Sequence, residues 1–402
     1  MVTGPAQPAL ATRVVETLDD LYGLRSTWQS VFAAGQSSNP FARWEWTYHW
    51  WRVFGRIDGP LRDRLHILVH DDAQGNTQGI TPLVRTGFHY GPLNITKLRN
   101  AGAVPGAYIT EMYPYIWSRD YEVPVARSLA NELYRGRGEY LWAEIDTVPL
   151  DRPFGHELAA SYLGTRGLWQ APTPYFPVVL PDTWAELKAK LTRNAREYLR
   201  QTDVRLARLT SSGHHCAFEL LSTPHEVMGG LEEFFKLHTA RSIMVPNARD
   251  PHYHPDHFAS ENTRQFLRAV AGDLAAQPHT PVSIVRLRID GQTVACRILL
   301  TANDELFLFY SGFDPRWKDS SVMSSVTARC VRHAIESPEI RVLNLSTHMD
   351  RSKLQWKPEE GHLLGNIRLQ ASTVGGRVAG LVSSNVVLLR GLAAGLGRRT
   401  VA

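Results

Sequence analysis

The run VSIVRLRIDGQTVACRILLTANDELFLFYSGFD, residues 282–314, reads as three consecutive strands. Apolar residues alternate along it, and Asp290-Gly291 and Ala302-Asn303-Asp304 supply the two turns. A long helical stretch, residues 224–276, precedes it. The same order occurs earlier in the chain. Residues 19–54 are helical in pattern, and RLHILVHDDAQGNTQGITPLVRT, residues 64–86, is a hairpin around a glycine-containing turn. Helices, an antiparallel meander, then more helix and strand, twice over, predict an α+β chain of two similar domains. The boundary is expected in GLWQAPTPYFPVVLPDTW, residues 167–184, where three prolines in six residues break the periodicity. Asp182 or Thr183 then caps the next helix. The expected division is 1–178 for the N-terminal domain, 179–376 for the C-terminal domain and 377–402 for a tail.

Composition sets the bounds. A chain of 402 residues, 43% hydrophobic and 21% charged, is globular and too long for one ordinary core. Three well-separated cysteines, Cys216, Cys296 and Cys330, form neither a disulfide framework nor a zinc ribbon, which fits a reducing compartment and a cytoplasmic location. No signal-peptide pattern and no apolar run of spanning length is read. The net charge of +5 hints at an anionic partner. Much of it is concentrated in LKAKLTRNAREYLRQTDVRLAR, residues 187–208, with seven basic residues against two acids. A stripe of Leu187, Leu191, Tyr198, Leu199 and Leu206 would turn those basic groups outward, as a solvated face or a phosphate-binding one.

After the strand at residues 306–311, Gly312 and Pro315 break the chain, and Ser320 or Ser321 caps a helix over residues 322–336. A strand, a turn and a helix start make an anion site. The glycine pattern of a Walker loop or a dinucleotide fingerprint is absent, which argues against ATP and NAD. Near the start of the chain, FARWEWTYHWWRVFG, residues 41–55, packs four tryptophans, a tyrosine, a histidine and two phenylalanines into fifteen positions. Trp46, Trp50, Val53 and Phe54 fall on one helical face for the core, whereas Trp44, Tyr48 and Trp51 need a second surface.

The segments PFARWEWTYHWWRVFG, EFFKLHTARS, DGQTVACRILL, LFLFYSGFDPRW and RSKLQW come in the order seen in the CelD/BcsL-like acyltransferases. That family resembles the FemABX transferases in architecture and lies within the GNAT superfamily. The resemblance covers about residues 17–358 and implies two tandem GNAT-like domains, each a mixed central sheet flanked by helices, followed by a short apolar and basic tail. It further implies an acyl-CoA-dependent N-acyltransferase, with the thioester on the second domain and an amine in the cleft. Three departures stand out: Ser321-Val322-Met323-Ser324 replaces a Pro-Gly pair, Asn344 holds an acidic position, and Ser352-Lys353 replaces Tyr-Lys. The last removes the usual proton donor to the leaving thiolate.

On this reading the oxyanion is held by backbone N–H groups near Phe309, Tyr310, Ser311 and Gly312. The diphosphate sits at Lys318, Ser320, Ser321, Val322, Met323 and Ser324. His238 and Arg241 face the cleft, His348 and Asp350 form a second candidate pair, and Lys353 and Trp356 match the family motif. Trp44, Trp46, Tyr48 and Trp51 are expected to roof an apolar acceptor groove. His252, His254 and His257 have a spacing that invites a metal, but Pro251 and Pro255 keep them off a common helix face, so no metal is expected. The tail, residues 377–399, is apolar, rich in small residues and bounded by arginines, and would lie peripherally on an anionic inner-membrane surface. Together these point to a lipid amine acceptor, such as a sphingoid base in a ceramide synthase-like reaction. The alternatives are a FemABX-type enzyme using aminoacyl-tRNA, although no nucleic acid is expected here, and a scaffold with a decayed site.

Overall fold

The computed structural model describes residues 9–35, 37–59, 61–90, 93–104, 106–162, 168–245, 253–347 and 350–370. The first half runs β1 (Ala11–Val15), α1 (Leu18–Gly23), α2 (Arg25–Gly35), α3 (Trp44–Phe54), β2 (Leu61–Asp71), β3 (Thr77–Tyr90), β4 (Leu93–Asn100), β5 (Ile116–Trp117), α4 (Glu122–Arg135), β6 (Trp142–Pro149), α5 (Pro153–Tyr162) and β7 (Leu168–Val179). The second runs α6 (Trp184–Lys190), α7 (Arg193–Ser211), β8 (Cys216–Leu221), α8 (Pro224–Ser242), α9 (Glu261–Ala275), β9 (Val282–Ile289), β10 (Gln292–Ala302), β11 (Glu305–Phe313), α10 (Val322–Glu336), β12 (Val342–Thr347), α11 (Arg351–Leu354) and β13 (Leu363–Gln370). The repeat is internal. A three-stranded antiparallel meander, a helix and a parallel strand occur as β2-β3-β4-α4-β6 and again as β9-β10-β11-α10-β12.

The two halves share one sheet, in the order β1-β2-β3-β4-β6-β13-β7-β12-β11-β10-β9-β8, with β5 on β3. Their last strands are exchanged. The first half's β7 pairs with β12, and the second half's β13 pairs with β6, while β7 and β13 pair with each other. The prolines of β7 mark this crossing strand rather than a break between separate bodies. The 178/179 division therefore remains a proposal about chain order within a continuous sheet.

Local chemistry explains the element ends. Thr223 and Glu226 form a reciprocal capping box at α8, and Ser260 caps α9. The basic segment is two helices, not one. Thr183 caps α6, Leu191 takes an extended conformation, and Thr192 starts α7 by accepting from the Ala195 N–H. Leu187, Leu191 and Leu199 are buried as expected, but Tyr198 turns outward.

The aromatic helix α3 is core, which corrects the groove expected for it. Trp44, Trp46 and Trp50 are buried, and their indole N–H groups donate to the Leu21 carbonyl, Thr110 Oγ1 and the Ala103 carbonyl at 2.9, 2.9 and 3.2 Å. Tyr48 stacks on Trp44 at 4.3 Å, and Trp51 packs against the same core. Satisfied indoles at zero or 1% exposure are spent on packing, while Tyr48 and Trp51 are half-buried and Trp44 edges a cavity of about 700 Å³ beside Arg43 and Pro278. No helix among the described residues is long and apolar enough to cross a membrane.

β11 and β12 run parallel from Glu305/Val342 to Phe307/Asn344, and their pairing stops there. On its other side, β11 meets β10 with a bulge. Arg297 opposes Ser311 and Leu299 opposes Leu308, so Phe309 and Tyr310 stand against the single residue Ile298. The sheet thus opens at its middle beside an irregular strand.

Candidate functional site

α8 crosses β11 at Gly312. A Cβ there would stand 2.5 Å from the His238 nitrogen and 2.7 Å from the Leu237 carbonyl carbon, so only glycine admits the helix backbone this closely. The approach sets His238 beside the bulge, with Nδ1 3.0 Å from the Ser311 carbonyl. That contact makes Nδ1 the N–H donor and leaves the lone pair on Nε2. Burial holds the imidazole below its ordinary pKa. Nε2 has no hydrogen-bond partner among the described residues and lies 3.8 Å from Asp256 Oδ1. Phe234, Phe258 and Tyr310 box the ring at centroid distances of 5.3, 5.3 and 5.6 Å.

One turn on, Arg241 donates to Ser311 Oγ at 3.0 Å and meets His254 Nε2 at 2.9 Å. Arg297 reaches the same Ser311 hydroxyl from β10 at 3.4 Å and the Phe309 carbonyl at 3.4 Å. Burial and mutual repulsion bring Arg241 down to about 10, and burial lowers Arg297 as well. With Arg241 still charged at neutral pH, two guanidinium groups meet over one serine.

The first half contributes Glu111, from the loop between β4 and β5, which is 5% exposed. Its Oε2 accepts from the Thr347 N–H at 3.3 Å, from Thr347 Oγ1 at 3.2 Å and from the Ser346 hydroxyl. Burial raises the carboxyl pKa, opposed by the Ser346 hydrogen bond and by Lys353. Lys353, on α11, donates to the Thr347 carbonyl. Burial depresses its ammonium to about 8, against the pull of Glu111 and Asp350. Tyr310 donates its hydroxyl to the Tyr108 carbonyl, which seams the halves together. These groups line a cavity of about 180 Å³ at the opening between β11 and β12. The carboxyl of Glu111 and the ammonium of Lys353 thus both reach Thr347 at this cavity, and the guanidinium groups favour negative charge in it.

Residues 193–357 match the acetyltransferase (GNAT) domain family. FemX is similar in structure at 11% identity and a TM-score of 0.57, over 88% of this chain and 98% of that one. So is the C-terminal domain of a candidate lysylphosphatidylglycerol synthetase from Agrobacterium fabrum, at 12% identity and a TM-score of 0.50, over 91% and 97%. The fold is GNAT-like and is shared with FemX. No curated protein matches the sequence.

Within this GNAT-like frame the expected residues divide. Phe309, Tyr310, Ser311, His238, Arg241 and Lys353 line the cavity together. Asp350 is exposed and caps α11 by accepting from the Ser352 N–H at 2.8 Å, although its charge reaches Lys353. His348, His252 and the tail 377–402 lie outside the described residues. Gly312 packs its Cα against the α8 backbone. Trp356 is 3% exposed in the second-half core, 6.3 Å from Trp184, and is corrected from ligand contact to packing. At α10, Ser321 is the N-cap with φ 56°, and its hydroxyl accepts from Arg205. Ser324 meets the Tyr198 hydroxyl. Val322 is buried, Met323 packs on the core, and Lys318 is exposed beside the half-buried Ser320. The helix start is therefore faced by α7. His254 and His257 lie by the cavity, and no group of metal-ligating side chains is found among the described residues.

Glu111 and Arg297 were not singled out from the sequence. Each has a signal in hindsight: a lone charge inside an apolar run, in YITEMYPY and in VACRILL. A charge in such a run is costly to bury and marks either an edge or a site.

Proposed function

We propose that this chain is an N-acyltransferase, moving an acyl group from a thioester, acyl-CoA by family resemblance, to an amine at the β11–β12 opening. The Glu111–Lys353 pair, brought to Thr347 at the end of β12 by the two halves, carries the reading. As the amine nitrogen bonds to the acyl carbon, Glu111 takes its proton. Backbone N–H groups at Phe309 and Tyr310 hold the oxyanion. As the carbon–sulfur bond breaks, Lys353 gives a proton to the thiolate, replacing the absent tyrosine. An ammonium of pKa about 8 is well matched to a thiol of about 8.5. A proton passing from Glu111 to Lys353 resets the site. His238 acts as a positioning residue, holding the bulge through Ser311. Burial of the tryptophans withdraws one support for a lipid amine, and the sphingoid-base reading rests on basic α7 and the 377–402 segment. Thiol release from acyl-CoAs of increasing chain length, with short and long amines, tests the assignment. No release with any pair overturns it.

A second reading has one observation in its favour. Arg205 and Tyr198 of α7 already hold the serines at the α10 start, where a CoA diphosphate would sit. A donor carrying its phosphates along basic α7, such as an aminoacyl-tRNA, would leave those contacts in place. RNase-sensitive transfer from charged tRNA, without thiol release, would establish it. Inertness to both donors would leave the scaffold.

A further inference from the structure

A second cavity, of about 300 Å³, lies on the other side of Asn344 from the catalytic one. It opens where β7, β12 and β13 meet, so it too is built by both halves. Tyr113, Tyr115, Trp117 and Tyr175 give it aromatic walls. Its charged groups are largely paired. Arg152 is held by Glu122 at 3.1 and 3.3 Å and lies over the Trp117 ring at 5.3 Å. Asp151 accepts from the Tyr175 hydroxyl at 2.9 Å and meets His362 Nδ1 at 2.7 Å, and His362 Nε2 is 3.4 Å from Glu359. Glu305 differs. Its hydrogen bonds come from neutral groups only, the Asn344 amide at 2.7 Å and the Ser38 hydroxyl. Burial, with the nearby charge of Asp304, raises its carboxyl to about 7, opposed by its hydrogen bonds and more weakly by His362.

Asn344 is fully buried between the two sites. Its amide nitrogen donates to Glu305, while its oxygen accepts from the Ser346 N–H at 2.8 Å. Ser346 in turn donates to Glu111 in the catalytic cavity. An aspartate at position 344 could accept from Ser346 but would repel Glu305. The amide satisfies both, which accounts for the departure from the acidic residue noted in the sequence.

We infer that this second cavity binds a small organic ammonium ion, its charge on Glu305 and its apolar arm among the tyrosines and Trp117. A carboxylate supplied only with neutral donors gains a cation without breaking an existing ion pair, and aromatic faces attract the same charge. The volume suits a ligand of about ten heavy atoms, at the lower end of small-molecule sites. The inference does not rest on the acyl-transfer reading.

The test is calorimetric titration of the full-length protein at pH 8 with 2-phenylethylamine, cadaverine and the neutral isostere 2-phenylethanol. At least one amine is expected to bind with a Kd in the range of about 0.1–10 mM. The alcohol should bind about tenfold more weakly than 2-phenylethylamine, and Glu305→Gln should weaken amine binding by about tenfold with an unchanged melting temperature. Glu111→Gln, in the catalytic cavity, should leave this amine binding as it was. Equal binding of amine and alcohol overturns the inference, as does wild-type affinity in Glu305→Gln or no saturation by either amine. Loss of binding in Glu111→Gln with none in Glu305→Gln would place the amine in the catalytic cavity instead. Should Glu305→Gln unfold, Ser38→Ala, which removes one of the carboxyl's two hydrogen bonds and leaves its charge, is expected to preserve amine binding, and loss of binding there would also count against the assignment.

Discussion

Lys353 and Glu111 share a volume that neither would enter alone. Burial lowers the ammonium to about 8 and raises the carboxyl. If Lys353 protonates the leaving group, it must carry its proton, so turnover falls as pH rises through about 8. Glu111 must be ionised, so the acid limb lies above the ordinary carboxylate range. The kcat/KM profile should therefore be bell-shaped, and Lys353→Met should erase its alkaline limb while leaving residual activity. Glu111→Gln should cut kcat by about 10²-fold or more with little change in melting temperature. His238→Ala should instead lower stability and turnover together, because its ring packs on Phe234, Phe258 and Tyr310. An unaltered profile in Lys353→Met would remove that residue from the chemistry.

At the scale of elements, much was legible in advance. The helix expected at residues 322–336 is Val322–Glu336, and the three strands read from residues 282–314 are β9, β10 and β11. These follow from period-two and period-3.6 patterns bounded by turn residues, which local sequence carries. The closeness of α8 to β11 was not legible, since nothing in SGFD says which face of Gly312 a helix will touch. Gly312→Ala is expected to cost about 1–3 kcal/mol and to reduce turnover by separating His238 from Ser311. Full activity in a stably folded Gly312→Ala protein would show that the helix contact does not position the site. The aromatic helix misled for a related reason. Its period marks which rings share a face, but not that α1, α2 and the first-half strands cover Trp44 and Tyr48. At the α10 start, Ser324→Asp should raise the KM for acyl-CoA by about tenfold if the diphosphate binds there. An unchanged KM would favour a donor bound elsewhere.

For the whole molecule, the repeated pattern predicted two similar halves, and two are present. The exchange of β7 and β13 was invisible, because strand composition does not specify a partner 200 residues away. It also explains why Glu111 was missed: its partners, Ser346, Thr347 and Lys353, come from the other half. A chain ended after Gly361 lacks β13 and should lose cooperative thermal unfolding, whereas one ended after Gly376 should keep it. Two-state melting of the shorter chain would mean that each half is independently stable. The longer truncation also tests peripheral attachment. Full-length protein should sediment with anionic vesicles at low salt, and the chain ended at Gly376 should not.

The exchanged strand also has a consequence in time. β6 is complete at Pro149, but its neighbour β13 begins only at Leu363, 214 residues later. At a synthesis rate of about 5–20 residues per second, the edge of β6 waits some 10–40 s for its partner. The first half thus leaves the ribosome with an unfinished sheet, exposed to pairing with other nascent chains. A requirement for holding chaperones during synthesis, and slow, concentration-sensitive refolding of the whole chain from denaturant, are built into this topology.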